Sequence, residues 1–262
     1  MRSTPTNAML LALIGGPALA VASAAGAPVQ IRVTVENMAP ANSVAFAPLR
    51  VGFNNGTYDA FDEGSAATAP IISIAEGGSG SDWFPAFGAA DPTATLGTVV
   101  PNPAGPLVPG ATGTADFTVD PAVNRYFTFA AMVVPSNDYF IGNDDPTAYQ
   151  ILDASGNLLI SSISQFGSDV WDAGSEVDGS FGAAFLMGSS NSDHVDEGGV
   201  VTRDFADLDT FNGLTTGAGY TFDRQFGAND EIYRITFEIV PAPATAGVLG
   251  LGGLVGLRRR RG

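Results

Sequence analysis

The chain has 262 residues, with 27 acids, 11 arginines, one histidine, and neither lysine nor cysteine. The missing cysteine excludes disulfides, thiol catalysis, thiolate zinc sites and iron–sulfur clusters. Residues 28–240 hold all 27 acids and only six arginines, a net charge of −21, which excludes the counterion-releasing phosphate contacts of a nucleic-acid binder.

The first segment, residues 1–27, reads as a secretory signal. Arg2 supplies the positive start, Met9 to Val21 the apolar stretch, and small residues place cleavage after Ala24 or after Ala27. Gly15, Gly16 and Pro17 interrupt the run, which is short of the roughly 20 residues a membrane span needs. From Val29 the pattern changes to strands. Val29 to Glu36 alternates apolar and polar residues, as a strand with one buried face does. Similar segments are Ala115–Val119, Tyr126–Val134, Ala148–Leu152, Leu158–Ile163, Gly182–Met187 and Glu231–Val240. Turn clusters such as Asn54-Asn55-Gly56 and Asp153 to Asn157 separate them. Only Ala66 to Glu76 suggests a helix, and Pro70 keeps it short. With 33 glycines and 17 prolines, the expectation is all-β: a single antiparallel β-sandwich over residues 28–240, with long end loops and at most one short helix.

Residues 241–262 form a third unit. Pro241-Ala242-Pro243 is followed by twelve uncharged residues, Ala246 to Leu257, and then by Arg258 to Arg261. The run is marginal as a stable span, and the arginines act as a charge stop facing the cytoplasm. A segment that enters a membrane transiently behaves as a processing signal.

The side-chain inventory argues against most catalysis. His194 is the one histidine and lies in a polar loop, so a solvated histidine is favoured over a Ser–His–Asp triad. Gly77-Gly78-Ser79-Gly80 has no following lysine and is no phosphate loop. A polysaccharide hydrolase needs only two carboxylates, and that alternative stays open.

Two loops concentrate acids and amides on turn-forming backbone: Val134 to Asp145 and Gly167 to Gly179. Ca²⁺ takes six to eight oxygens from such groups. Converging carboxylates repel unless a proton or a cation lies among them. Neither loop has the EF-hand pattern. By spacing alone, a metal site and solvated turns are both open.

Two resemblances add to this reading. Ile31 to Asn37, Phe61-Asp62-Glu63-Gly64, Ser73 to Gly78, Met132 to Asp138 and Trp171 to Glu176, in that order, resemble the spondin N-terminal domain of secreted and extracellular-matrix proteins. The similarity runs from about Val29 to Val240, and Pro-Ser-x-Asp and Trp-Asp-Ala-Gly are its most specific parts. It implies a β-sandwich that binds calcium in the loops at one end and serves adhesion rather than catalysis. Carried over by motif, the ligands are Asp138, Asp172 and Glu176, the last standing where animal members often have aspartate. Asp169 is added by proximity only. Trp171 is expected as a packing anchor. The tail resembles the PEP-CTERM sorting signal of Gram-negative bacteria, with Ala242 where that family most often has glutamate. It implies an exosortase-type processing enzyme and transient membrane insertion of the C-terminal segment. The expected protein is therefore exported to the cell envelope, outer surface or matrix, where it meets an extracellular polymer or surface component.

Overall fold

The computed structural model describes residues 27–241. The expected signal and sorting segments, except Ala27 and Pro241, lie outside the described residues.

Strand β1 (Val29–Asn37) turns Ile31, Val33 and Val35 inward, and each is at most 1% exposed. Its polar residues line the other face, the result of two-residue side-chain alternation on a pleated strand. β1 pairs antiparallel with β11 (Glu231–Val240), setting Val33 opposite Phe237. On its other side it pairs with β5 (Thr112–Val119), where Val33 faces Ala115. β8 (Ser162–Phe166) completes a four-stranded sheet of order β5-β1-β11-β8.

The second sheet runs β10-β9-β7-β6-β3-β4, with β2 added beside β6. Its members are β2 (Ala45–Phe46), β3 (Leu49–Asn54), β4 (Thr95–Val99), β6 (Tyr126–Val134), β7 (Tyr139–Gly142), β9 (Val170–Asp172) and β10 (Thr202–Arg203). Between the sheets lies one aromatic and aliphatic core. Phe127 of β6 meets Phe237 of β11 edge-on at 4.8 Å, and Phe53 of β3 meets Phe117 of β5 at 5.3 Å. Such pairs add about 0.5–1.5 kcal/mol each beyond area burial.

β6, like its neighbour β7, is buried on both faces. Its outer face is covered by α1 (Ala69–Gly77) and α2 (Trp83–Ala90), which place Ile71, Ile74, Trp83 and Phe87 in a second cluster with Ala130 and Phe140. A strand covered on both sides reads as a continuous apolar run, which explains the YFTFAAMVV composition.

The all-β expectation holds, with α2 as the exception to its single helix. In Trp83-Phe84-Pro85-Ala86-Phe87, the proline sits in the first turn, where a helix does not use its amide hydrogens. Trp83 and Phe87, four residues apart, then share the buried face. Gly52 makes room for them, since a Cβ there would come within 2.3 Å of the Phe87 ring. α1 is capped by the Thr68 hydroxyl at Ile71 N and closed by Gly78 at φ +58°.

Ala148–Leu152 and Gly182–Met187 are not strands but carry isolated bridges, Tyr126 with Gln150 and Ser136 with Ala184. Leu158–Ile163 becomes a strand only from Ser162. Before it, the Asp153 carboxylate accepts the amides of Ser155 and Asn157 and holds a tight turn bridged by Leu152 and Leu158. β7 and β9 lie inside the two expected acidic loops, so those loops are partly sheet.

Candidate metal centre

The turn from β6 to β7 is Pro135-Ser136-Asn137-Asp138. Its geometry comes from local polar groups: the Ser136 hydroxyl donates to Val133 O and accepts the Tyr139 amide. Asn137 reaches across to the 179–181 segment, donating to Phe181 O at 3.1 Å and accepting the Gly179 amide at 3.0 Å. Asp138 has no exposed surface. Its Oδ2 accepts Ser175 N (2.7 Å), Ser175 Oγ (3.1 Å) and Glu176 N (2.9 Å), while its Oδ1 has no hydrogen-bond partner.

β7 pairs with β9 so that Tyr139 lies opposite Asp172, and the Asp138 carbonyl accepts the Ala173 amide. Asp172 Oδ1 accepts Gly174 N at 2.7 Å, closing a turn. Gly174 has φ +62°, and a Cβ there would come within 2.7 Å of Val200 N and O, so only glycine fits. Beyond it, Asp178 Oδ2 accepts the Tyr139 hydroxyl at 2.9 Å, and Asp178 Oδ1 is buried without a partner.

The electrostatics follow from this crowding. Burial first, then Asp138, Asp178 and Glu197, push Asp172 up to about 7. Asp178 rises to about 6, through burial first and then Asp138, Asp207 and Glu197. Burial also raises Asp138, opposed by the Glu176 and Ser175 donors. Like charges held close together and partly out of solvent retain protons unless a cation replaces them.

Asp138 and Asp172 are therefore brought together. Asp178 joins them, and the sequence reading had not singled it out. Its signal was the run of acids after Trp171, but its role depends on a tyrosine 39 residues away. Glu176 is 1% exposed, and neither of its oxygens has a hydrogen-bond partner. It shares Asp138 as a neighbour yet faces His194, whose Nδ1 lies 3.6 Å from Glu176 Oε1. Burial first and then Glu76 push Glu176 up to about 7, with His194 opposing. His194 is 40% exposed, and its Nδ1 lies 2.8 Å from Asn191 O.

Asp169 belongs elsewhere. Its Oδ2 accepts Phe166 N at 2.9 Å, and its Oδ1 pairs with Arg203 at 3.1 Å. It lies in the 3-10 turn Gly167–Asp169, and its hydrogen-bond and ion-pair partners are Phe166 N and Arg203 rather than residues of the Asp138 group. Arg203 also stacks on Trp171 at 4.0 Å. Trp171 is 1% exposed, donates to Gly142 O and packs on Phe61, which makes it the packing anchor expected.

A second acidic group was not anticipated. Among the described residues, the one set of three carboxylates with ligand atoms all within 4.8 Å of one another is Asp59, Asp62 and Asp144. Asp59 and Asp62 are exposed and Asp144 is half-buried. Asp59 and Asp144 rise mainly through burial and then through Asp62. The Asp59-x-x-Asp62 spacing was its only sequence signal. The Asp138 group is less tightly convergent but far better buried, and it leaves carboxylate oxygens unpartnered inside the protein. Among the described residues, no three of Asp138, Asp172, Asp178 and Glu176 bring their carboxylate oxygens within 4.8 Å of one another, so what distinguishes this group is burial and the unpartnered oxygens of Asp138, Asp178 and Glu176.

No protein-family model and no curated protein matches this chain.

Proposed function

We propose that this is an exported, non-enzymatic calcium-binding domain that serves adhesion at the cell surface or in the extracellular matrix. Its cation is held by Asp138, Asp172 and Asp178, with Glu176 joining by turning from His194. The observation that carries the proposal is Asp138 Oδ1, a fully buried carboxylate oxygen without a partner beside two further carboxylates. Leaving such a group unsatisfied costs about 1–3 kcal/mol or more, and a divalent cation would offset that cost while neutralising the repulsion.

The cellular part of the proposal rests on the N-terminal apolar segment, the Pro-Ala-Pro tail and the spondin-like motifs. The tail would be recognised by an exosortase-type enzyme after transient membrane insertion, leaving the acidic domain at the envelope to meet an extracellular polymer or surface component.

A melting curve of the purified protein tests the binding. A cation that binds only the folded state raises the midpoint by mass action. Millimolar Ca²⁺ is expected to raise it in the native protein and to leave Asp172→Ala unmoved. An equal rise in both would sink the assignment. Turnover of an extracellular glycan by the same preparation would overturn the non-enzymatic reading.

A further inference from the structure

Between the end of α1 and the outer face of β6 lies an open groove of about 500 Å³. Its floor is Met132 and Val134 of β6, and Pro48 and Pro106 form its sides. Met132 and Val134 belong to a small apolar cluster outside the main core, with Phe185 packed against it. One wall is Phe185, held at φ +64°. A bulky L-residue enters that region at a cost of about 1–3 kcal/mol, so its surroundings must enforce it. They do: the Phe185 carbonyl accepts the Gly217 amide at 2.7 Å, and a Cβ on Gly217 would come within 3.0 Å of the ring.

The groove also has one negative lining residue. Glu76, half-buried in the last turn of α1, lines it and is in no ion pair among the described residues. The helix C-terminus adds partial negative charge there, and its last turn carries no basic residue. Arg50 satisfies the neighbouring Gly78 carbonyl but forms no ion pair with Glu76. The Asn191 side-chain amide donates to the Glu76 backbone carbonyl at 2.8 Å and not to its carboxylate.

An aliphatic trough with an aromatic wall and a carboxylate at its edge complements a cation on an apolar stem. A neutral apolar molecule would leave Glu76 unused, and an anion would be repelled. We propose that this groove binds the lysine or arginine side chain of a partner polypeptide. The stem lies along Met132, Val134 and Phe185, and the cation pairs with Glu76. Because the groove is open, a side chain enters while its backbone stays outside, and the −21 domain steers basic partners toward it.

The groove is distinct from the cation site, although Glu76 also acts electrostatically on Glu176, and the test of the proposal has a separate readout. The full chain is labelled at its methionine methyls and titrated with acetyl-Gly-Lys-Gly-amide at millimolar concentration. The expected result is a saturable shift of the Met132 methyl signal with Met38 unmoved. Affinity should fall about tenfold for the norleucine analogue and for Glu76→Gln, each of which removes one charge-assisted contact. Unchanged Met38 and Met187 signals in the variant report an intact fold. No Met132 shift, or equal affinity for the norleucine peptide, overturns the proposal. Free n-pentylamine binding as tightly as the peptide overturns the polypeptide partner.

Discussion

Asp138 and Glu176 are joined through a backbone amide: Glu176 N donates to Asp138 Oδ2 at 2.9 Å, 38 residues away in sequence. The amide and hydroxyl of Ser175 reach the same oxygen. One carboxylate thus ties the β6–β7 turn to the loop after β9, while its second oxygen is left unpartnered among other acids. The same side chain organises the loops and presents the charge on which the proposed function depends.

The first prediction concerns pH without divalent cations. Asp172 titrates near 7 and Asp178 near 6 in the folded state, above their ordinary values. The native state then holds more protons than the unfolded chain, so stability falls as pH rises. The contribution is fully present below about pH 4, where the unfolded carboxyls also protonate, and is lost as pH passes 6 to 7. With EDTA, the melting midpoint should fall from pH 5 to pH 8. With saturating Ca²⁺ that fall should shrink, because the cation favours the ionised carboxylates. A flat or rising EDTA profile would contradict the crowding of these carboxylates.

Gly174→Ala tests the turn beneath Asp172. The substitution demands an L-residue at φ +62° and sets a methyl against Val200 N and O. It should destabilise the domain by about 1–3 kcal/mol in urea unfolding and weaken any Ca²⁺ response. A wild-type denaturation midpoint would show that the turn is more pliant than this geometry implies.

Asp169→Ala separates true neighbours from sequence neighbours. Asp169 forms a half-exposed pair with Arg203 and caps Phe166 N, so its loss should cost about 1 kcal/mol or less. The Ca²⁺-induced rise in melting temperature should be unchanged. Its disappearance would return Asp169 to the site.

Much of this was legible where one physical pressure acts on a strand. β1 and β11 are half-buried, and their alternation shows in the sequence. α2 was hidden because Pro85 and Gly88 argue locally against a helix, while Trp83 and Phe87 gain their burial from Gly52, Tyr58 and β6. β7 and β9 have four and three residues, too few for periodicity to register. Asp138 and Asp172 stood out by motif and turn chemistry. Asp178 did not, because the hydroxyl that orients it comes from Tyr139 on another strand. Asp59, Asp62 and Asp144 meet only through the tertiary fold.

The ends of the chain give a prediction independent of the site. Intact-mass analysis of the protein from its native envelope should find an N-terminus after Ala24 or Ala27 and loss of the arginine-capped tail. A mature form retaining both segments would contradict the proposed export and sorting.

The most direct test of the cation site is calorimetric titration of Ca²⁺ into the purified protein and into Asp138→Asn. Asparagine retains an oxygen able to accept Ser175 N and Glu176 N but removes the charge, so the loop framework is kept. The account predicts saturable Ca²⁺ binding in the native protein and at least about tenfold weaker binding in the variant. Absence of binding in the native protein, or identical isotherms for the two, would contradict it.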